Sequence, residues 1–177
     1  MAQLLAGRLP RARYAALLRS LHTLYAALES GLEANAGAAW LTGIDLAGLR
    51  RRAALEADLA GEPPTEPVAV ARAYAARLQA LGEQRSPLLL AHVYARYLGD
   101  LHGGQILQRL VSRHYPGIGT RFYEFGPEEQ VRSLRRDLRG ALATTPLRPG
   151  DADGLVAEAR WSFEQHVLLF EALAEAA

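Results

Sequence analysis

The 177-residue chain contains no cysteine and no lysine. Without cysteine it forms no disulfide, no thiolate metal site and no cysteine nucleophile, so any metal chemistry must use other ligands. Without lysine, all 20 basic residues are arginine, a bias that GC-rich coding explains for most of them and carboxylate recognition for a few. A charge of one sign is lacking as well: 20 basic residues against 19 acidic give a net charge of +1. Bulk attraction to nucleic acid is thereby excluded, and any anion site must be local. No stretch approaches the ~18 to 20 uninterrupted apolar residues of a membrane span, and the first residues lack the apolar core of a secretory signal. The C-terminal Phe170 to Glu175 run ends without a hydrophobic tail. The expectation is a cytoplasmic chain with no membrane anchor and no nucleic-acid partner. Half of the residues are apolar, enough for a single core, so residues 1–177 read as one domain.

What is present is helical periodicity. Apolar residues at spacings of three and four from Tyr14 through Leu17, Leu21, Leu24 and Leu28 predict a long first helix, with Pro10 in its first turn. Asp45 is placed to cap a second helix through Leu49, Leu55 and Leu59, ending at Gly61 and the Pro63-Pro64 pair, with its arginine-rich face in solvent. A third helix runs from about Pro67 to Gly82, and Ser86-Pro87 opens a fourth that reaches Tyr115. After a loop around Gly119 to Gly126, Pro127 starts a helix to about Ala143 and Asp151 opens the last one. Only Arg121 to Phe125 could pass for a strand. The sequence predicts an all-α bundle of roughly six to eight helices.

Gly99, Gly103 and Gly104 interrupt the fourth helix, at a cost of roughly 2 to 3 kcal/mol relative to alanine. Either a flat ligand lies against the bared backbone, or another helix packs closely there. Asp100 stands four residues before Gly104 on nearly the same face, where its carboxylate could order water or pair with Arg96.

The run Ala91-His92-Val93-Tyr94-Ala95-Arg96-Tyr97-Leu98-Gly99-Asp100-Leu101-His102-Gly103-Gly104-Gln105 resembles the distal-helix signature of biliverdin-forming heme oxygenases. Similarity continues through Ser20-Leu21 to Tyr25 and Ala27-Leu28-Glu29, Ala53-Ala54-Leu55-Glu56 to Asp58-Leu59, and Phe170-Glu171. It covers essentially the whole chain. The resemblance implies a single-domain heme oxygenase-like bundle with a glycine-kinked distal helix, in which Gly99, Gly103 and Gly104 lie against the porphyrin. It implies that Asp100 holds a water network beside the iron, extended by Tyr25, Tyr74 and Arg96, with His166 where an asparagine is usual. Arg132 and Arg136, one helical turn apart, match its clamp for the heme propionates. Tyr94 would add a hydrogen bond there, and Phe163, Phe170 and Met1 match residues that pack around the heme.

The family's iron-binding histidine falls upstream of the position matching Met1. The alternatives are a start assigned too late, ligation by His102 or His166 in a heme carrier or sensor, and a heme-free helical relative used for interaction. His22, His92 and His114 are expected to be structural. The resemblance implies that oxygen and electrons convert heme to biliverdin, ferrous iron and carbon monoxide. No nicotinamide or flavin fingerprint is present, so a reductase or ferredoxin would supply the electrons, docking on Arg132, Arg135 and Arg136. A monomer is expected.

Overall fold

The computed structural model describes residues 2–175. Among them it is all helix, without a strand, in the order α1 (Ala2–Leu5), α2 (Arg11–Ala34), α3 (Leu46–Leu49), α4 (Arg52–Leu59), α5 (Ala69–Glu83), α6 (Leu89–His92), a π-helical stretch (Val93–Leu98), α7 (Gly99–His114), α8 (Glu128–Thr144) and α9 (Asp151–Glu175). The helical count exceeds the expected six to eight because two predicted helices are subdivided and a short α1 precedes Pro10.

Helix α2 forms the centre. Its leucines and Tyr14 and Tyr25 are all buried, because its apolar positions meet helices on more than one side: α5 packs along it, as does α4. The α2–α5 crossing is close because glycines face each other. A Cβ on Gly82 would lie 2.9 Å from the Gly31 Cα, so neither backbone leaves room for a side chain on Gly82. Asn35 spans the same crossing, donating to the carbonyls of Gly31 and Gly82 at 2.8 and 2.9 Å.

The expected second helix is two pieces. Asp45 caps the first, accepting from the Gly48 N–H at 3.1 Å. The chain then breaks at Arg50 and Arg51, where the buried Glu29 carboxylate accepts the N–H groups of Arg51 and Arg52 at 2.6 and 3.1 Å. Those are orphan donors at the start of α4, and a carboxylate there does the work of a cap. Arg51 consequently turns inward, against the expectation of a solvated arginine face. Its guanidinium donates to the Glu124 carbonyl at 2.7 Å and lies 3.8 Å from the centre of the Phe125 ring.

The expected fourth helix departs from expectation at a different place than the glycines. Gly99, Gly103 and Gly104 sit in regular α-helix, and the irregular turn lies immediately upstream, over Val93–Leu98. Residues Arg121–Tyr123, within the one candidate strand, form a 3₁₀ turn instead. Asp58 fixes that turn by accepting the N–H groups of Arg121 and Phe122 at 2.9 and 2.8 Å.

Candidate active site

The π-helical turn hands over to α7 at Gly99, and Asp100 follows at once. Helix α2 presents the buried Tyr25 to it, and the Tyr25 hydroxyl donates to Asp100 Oδ2. Tyr25 is held in turn by the Phe122 ring, edge-on at 5.4 Å, and by Tyr97 at 5.7 Å. Burial raises the Asp100 carboxyl above its ordinary value, opposed by the positive charge of Arg96 and the Tyr25 hydrogen bond. Arg96 itself is buried, which works against its charge, yet Tyr25, Asp100 and Tyr74 outweigh that and raise it. Asp100 Oδ1 makes no hydrogen bond among the described residues, and the residue is half-exposed. One carboxylate oxygen is therefore fixed and the other is free to accept from water.

Arg96 links this pair to the last helix. Its Nη1 donates to Nδ1 of His166 at 2.7 Å, and the His166 ring meets Phe170 edge-on at 5.0 Å. Burial and the Arg96 charge depress His166 to about 3. An arginine only donates, so the His166 ring proton sits on Nε2 and no lone pair remains for a metal. In this arrangement His166 braces Arg96 and has no ring nitrogen to offer iron.

Tyr74 stands one step further from Asp100. It is not bonded to Asp100 but belongs to a second buried group, where its hydroxyl meets Ser162 Oγ and lies 2.9 Å from His92 Nδ1. His92 Nε2 is 3.0 Å from Glu158, which Arg77 grips with two hydrogen bonds of 3.1 and 2.7 Å. The group joins α5, α6 and α9, and Tyr74 shares only a narrow internal void with Tyr25 and Arg96. Burial depresses His92 to about 4, although Glu158 opposes the shift. With the folded value below the ordinary 6.5, the unfolded chain takes up this proton first as pH falls. Stability is thus expected to decline from about pH 6.5 and to stop responding to His92 below about pH 4, a loss of roughly 3 kcal/mol. His166 acts in the same direction, down to about pH 3. Urea midpoints across pH 4 to 7 check this, and a His92→Gln variant is expected to show a shallower slope.

The three glycines divide by role. A Cβ on Gly99 or Gly103 would meet nothing within 4 Å, whereas one on Gly104 would lie 3.2 Å from the Tyr123 carbonyl oxygen. Gly104 therefore serves close packing against the 3₁₀ turn, where Gly99 and Gly103 leave open space. Sequence spacing could not separate these roles, since each depends on what the fold brings opposite.

A cavity of about 720 Å³ is walled by Tyr94, Leu147, Val156, Phe163 and Val167, with Tyr94 and Phe163 edge-on at 6.4 Å. Its wall does not include Gly99 or Gly103. A second cavity of about 480 Å³, between α1 and α9, is lined by Leu4, Leu9, His166, Val167 and Phe170. Val167 borders both, so an apolar wall runs along α9. Phe163 is 51% and Val167 57% exposed, an open apolar surface of the kind that receives a large flat ligand.

Arg132 and Arg136 lie on α8, exposed, held by Glu128 at 2.6 Å and Asp137 at 3.1 Å. Arg135 differs, because its Nη2 donates to the Leu101 carbonyl of α7 at 3.3 Å and its Nε is sealed from solvent. It ties α8 to the glycine-bearing helix and is not a free surface cation. Met1 lies outside the described residues.

These are features that a heme could use: two vacant Cβ positions and a fixed carboxylate on α7, and an apolar wall with aromatic rings on α9. A protein of Porphyra purpurea named heme oxygenase is 32% identical over 179 residues, covering 96% of this chain and 75% of that protein. The heme oxygenase of Leptospira interrogans superposes with a TM-score of 0.86 at 30% identity, covering 96% of this chain and 87% of that one. Heme oxygenase-2 from Synechocystis sp. PCC 6803, solved in complex with heme and NO, gives 0.88 at 30% identity, covering 97% and 75%. The family model for heme oxygenase matches residues 1–172, and with the Asp100 site and the open glycine face already in place, the chain belongs to the heme oxygenase family.

Proposed function

We propose that this chain opens heme to biliverdin, ferrous iron and carbon monoxide, with Asp100 as the residue that manages protons beside the iron. The reaction is the family's; the residue roles are those the resemblance implies, with the geometry as their support. The observation that carries them is the fixing of Asp100 by Tyr25, next to glycines whose Cβ positions stand empty. Bound heme supplies both the iron that activates oxygen and the porphyrin edge that is oxidised.

The chain's own residues do the rest. Tyr25 holds Asp100 Oδ2 and stops the carboxylate from rotating. The Arg96 charge opposes the burial that would protonate it, so Oδ1 can accept from a water and hold that water's other hydrogen toward the glycine face. His166 keeps Arg96 extended. Gly99 and Gly103 let the macrocycle approach the backbone, while Tyr94, Phe163 and Phe170 offer it apolar contact. Arg132 and Arg136 are exposed one turn apart and can exchange Glu128 and Asp137 for two propionates. During turnover the arginines of this face, Arg132 and Arg136 among them, offer an acidic reductase or ferredoxin that delivers the electrons a charged landing surface.

Hemin titrated into the protein is expected to give a saturable Soret band, and reductant with oxygen is expected to replace it with the spectrum of biliverdin. Saturable binding without that product overturns the catalytic reading in favour of a heme carrier.

A further inference from the structure

Four arginines of α8, Arg132, Arg135, Arg136 and Arg139, recur at spacings of three and four and so share one face of the helix. Three of them are exposed, whereas Arg135 is half-buried. Its Nη2 donates to the Leu101 carbonyl of α7 at 3.3 Å, and its Nε is sealed from solvent without a partner among the described residues. An outward rotamer would give every donor water; the inward one leaves Nε unpaired in exchange for a tie to α7. That tie is the one hydrogen bond between α7 and α8 among the described residues.

Both ends of it lie at the candidate site. Leu101 is buried, follows Asp100 directly and precedes Gly103 by two residues. Arg135 is next to Arg136 and one turn beyond Arg132, the exposed pair read above as the propionate anchors. The bond therefore joins the helix that carries the carboxylate and the open glycines to the helix that carries the anchors.

A heme has four meso bridges, and which one lies at the oxidising position depends on the rotation of the ring about the axis through the iron. Anchors on α8 set that rotation, while α7 sets the direction from which oxidation comes. The product is then only as uniform as the seating of α8 on α7. A reactive geometry tolerates displacements of about 0.5 Å, and apolar contact, being non-directional, fixes such a register less well than a directed hydrogen bond.

We propose that Arg135 is a positioning residue that sets, through its bond to the Leu101 carbonyl, which meso bridge of the heme is opened. This role rests on heme being turned over at the site, as read above.

The test supplies the whole chain with hemin, ascorbate and oxygen, with catalase present to remove peroxide, and separates the biliverdin isomers by chromatography beside a hemin titration. The unmodified protein is expected to give one dominant isomer. Arg135→Met keeps an apolar stem and loses the donor. It is expected to raise the ratio of minor to dominant isomers by about tenfold, the change that about 1.4 kcal/mol between two orientations produces, with hemin affinity within a few-fold. Arg135→Lys can still donate to a carbonyl and is expected to return the ratio toward that of the unmodified protein. Arg139→Met, exposed on the same face, is expected to leave it unchanged. A loss of stability alone lowers the amount of product and not its isomer ratio. An unaltered ratio in Arg135→Met, or a mixture already formed by the unmodified chain, overturns the role of Arg135 and leaves the heme reading intact. Absence of biliverdin from the unmodified chain overturns both.

Discussion

Asp100→Ala is expected to leave hemin binding within a few-fold of its starting value while biliverdin formation falls by about a hundredfold or more, the range for removing a positioned proton-handling group. Asp100 reaches the site through water rather than through packing, so its loss removes chemistry and not contact area. Folding should survive, since Asp100 is only half-buried and water entering the space of its carboxylate can accept from the Tyr25 hydroxyl. Asp100→Asn separates charge from shape: it keeps an oxygen for the Tyr25 hydroxyl but removes the acid. Single-turnover formation of biliverdin, followed beside a hemin titration, checks both. Undiminished biliverdin yield from either variant removes Asp100 from the mechanism.

Gly103→Leu is expected to weaken hemin binding by about tenfold to a hundredfold, corresponding to an overpacking cost of roughly 1 to 3 kcal/mol. The unliganded protein should not suffer. A Cβ at Gly103 meets nothing within 4 Å, and leaving glycine in a helix interior is worth up to about 1 kcal/mol. A urea midpoint that rises while hemin affinity falls is therefore the expected pair of results. Gly104→Ala supplies the contrast, because its Cβ would press on the Tyr123 carbonyl at 3.2 Å. That variant is expected to gain no stability from the same change. If Gly103→Leu binds hemin as tightly as the original, the open face of α7 is not where the porphyrin lies.

Much of the helical order is visible in apolar spacing and in turn residues. Pro10, Pro127 and Asp151 stand at or beside the starts of α2, α8 and α9, and Pro116 follows the end of α7. Where expectation and structure part, a distant residue decides. The break between α3 and α4 is imposed by Glu29, 22 positions before Arg51, and no local pattern announces a carboxylate arriving from another helix. Arg51 reads as one of three consecutive surface arginines, yet the carbonyls of Phe122 and Glu124 draw it inward. Tyr74 matches a family position in the distal network, but the neighbours that claim its hydroxyl, His92 and Ser162, come from α6 and α9. The candidate site shows the same division. Asp100 and the glycines stand out by sequence because helices rarely spend three glycines without return, whereas which glycine faces open space and which arginine of α8 reaches α7 depend on tertiary packing.

A π turn contains about one residue more than the α turn it replaces, so everything beyond Leu98 is rotated by roughly 100° relative to everything before Val93. That angular offset lets a single continuous rod aim Tyr94 at Phe163 and, a few residues later, Asp100 at Tyr25. Deleting Ala95 would cancel it and swing the carboxylate off its tyrosine, though every functional side chain were still encoded. In this chain the length of a six-residue segment is itself part of the catalytic specification.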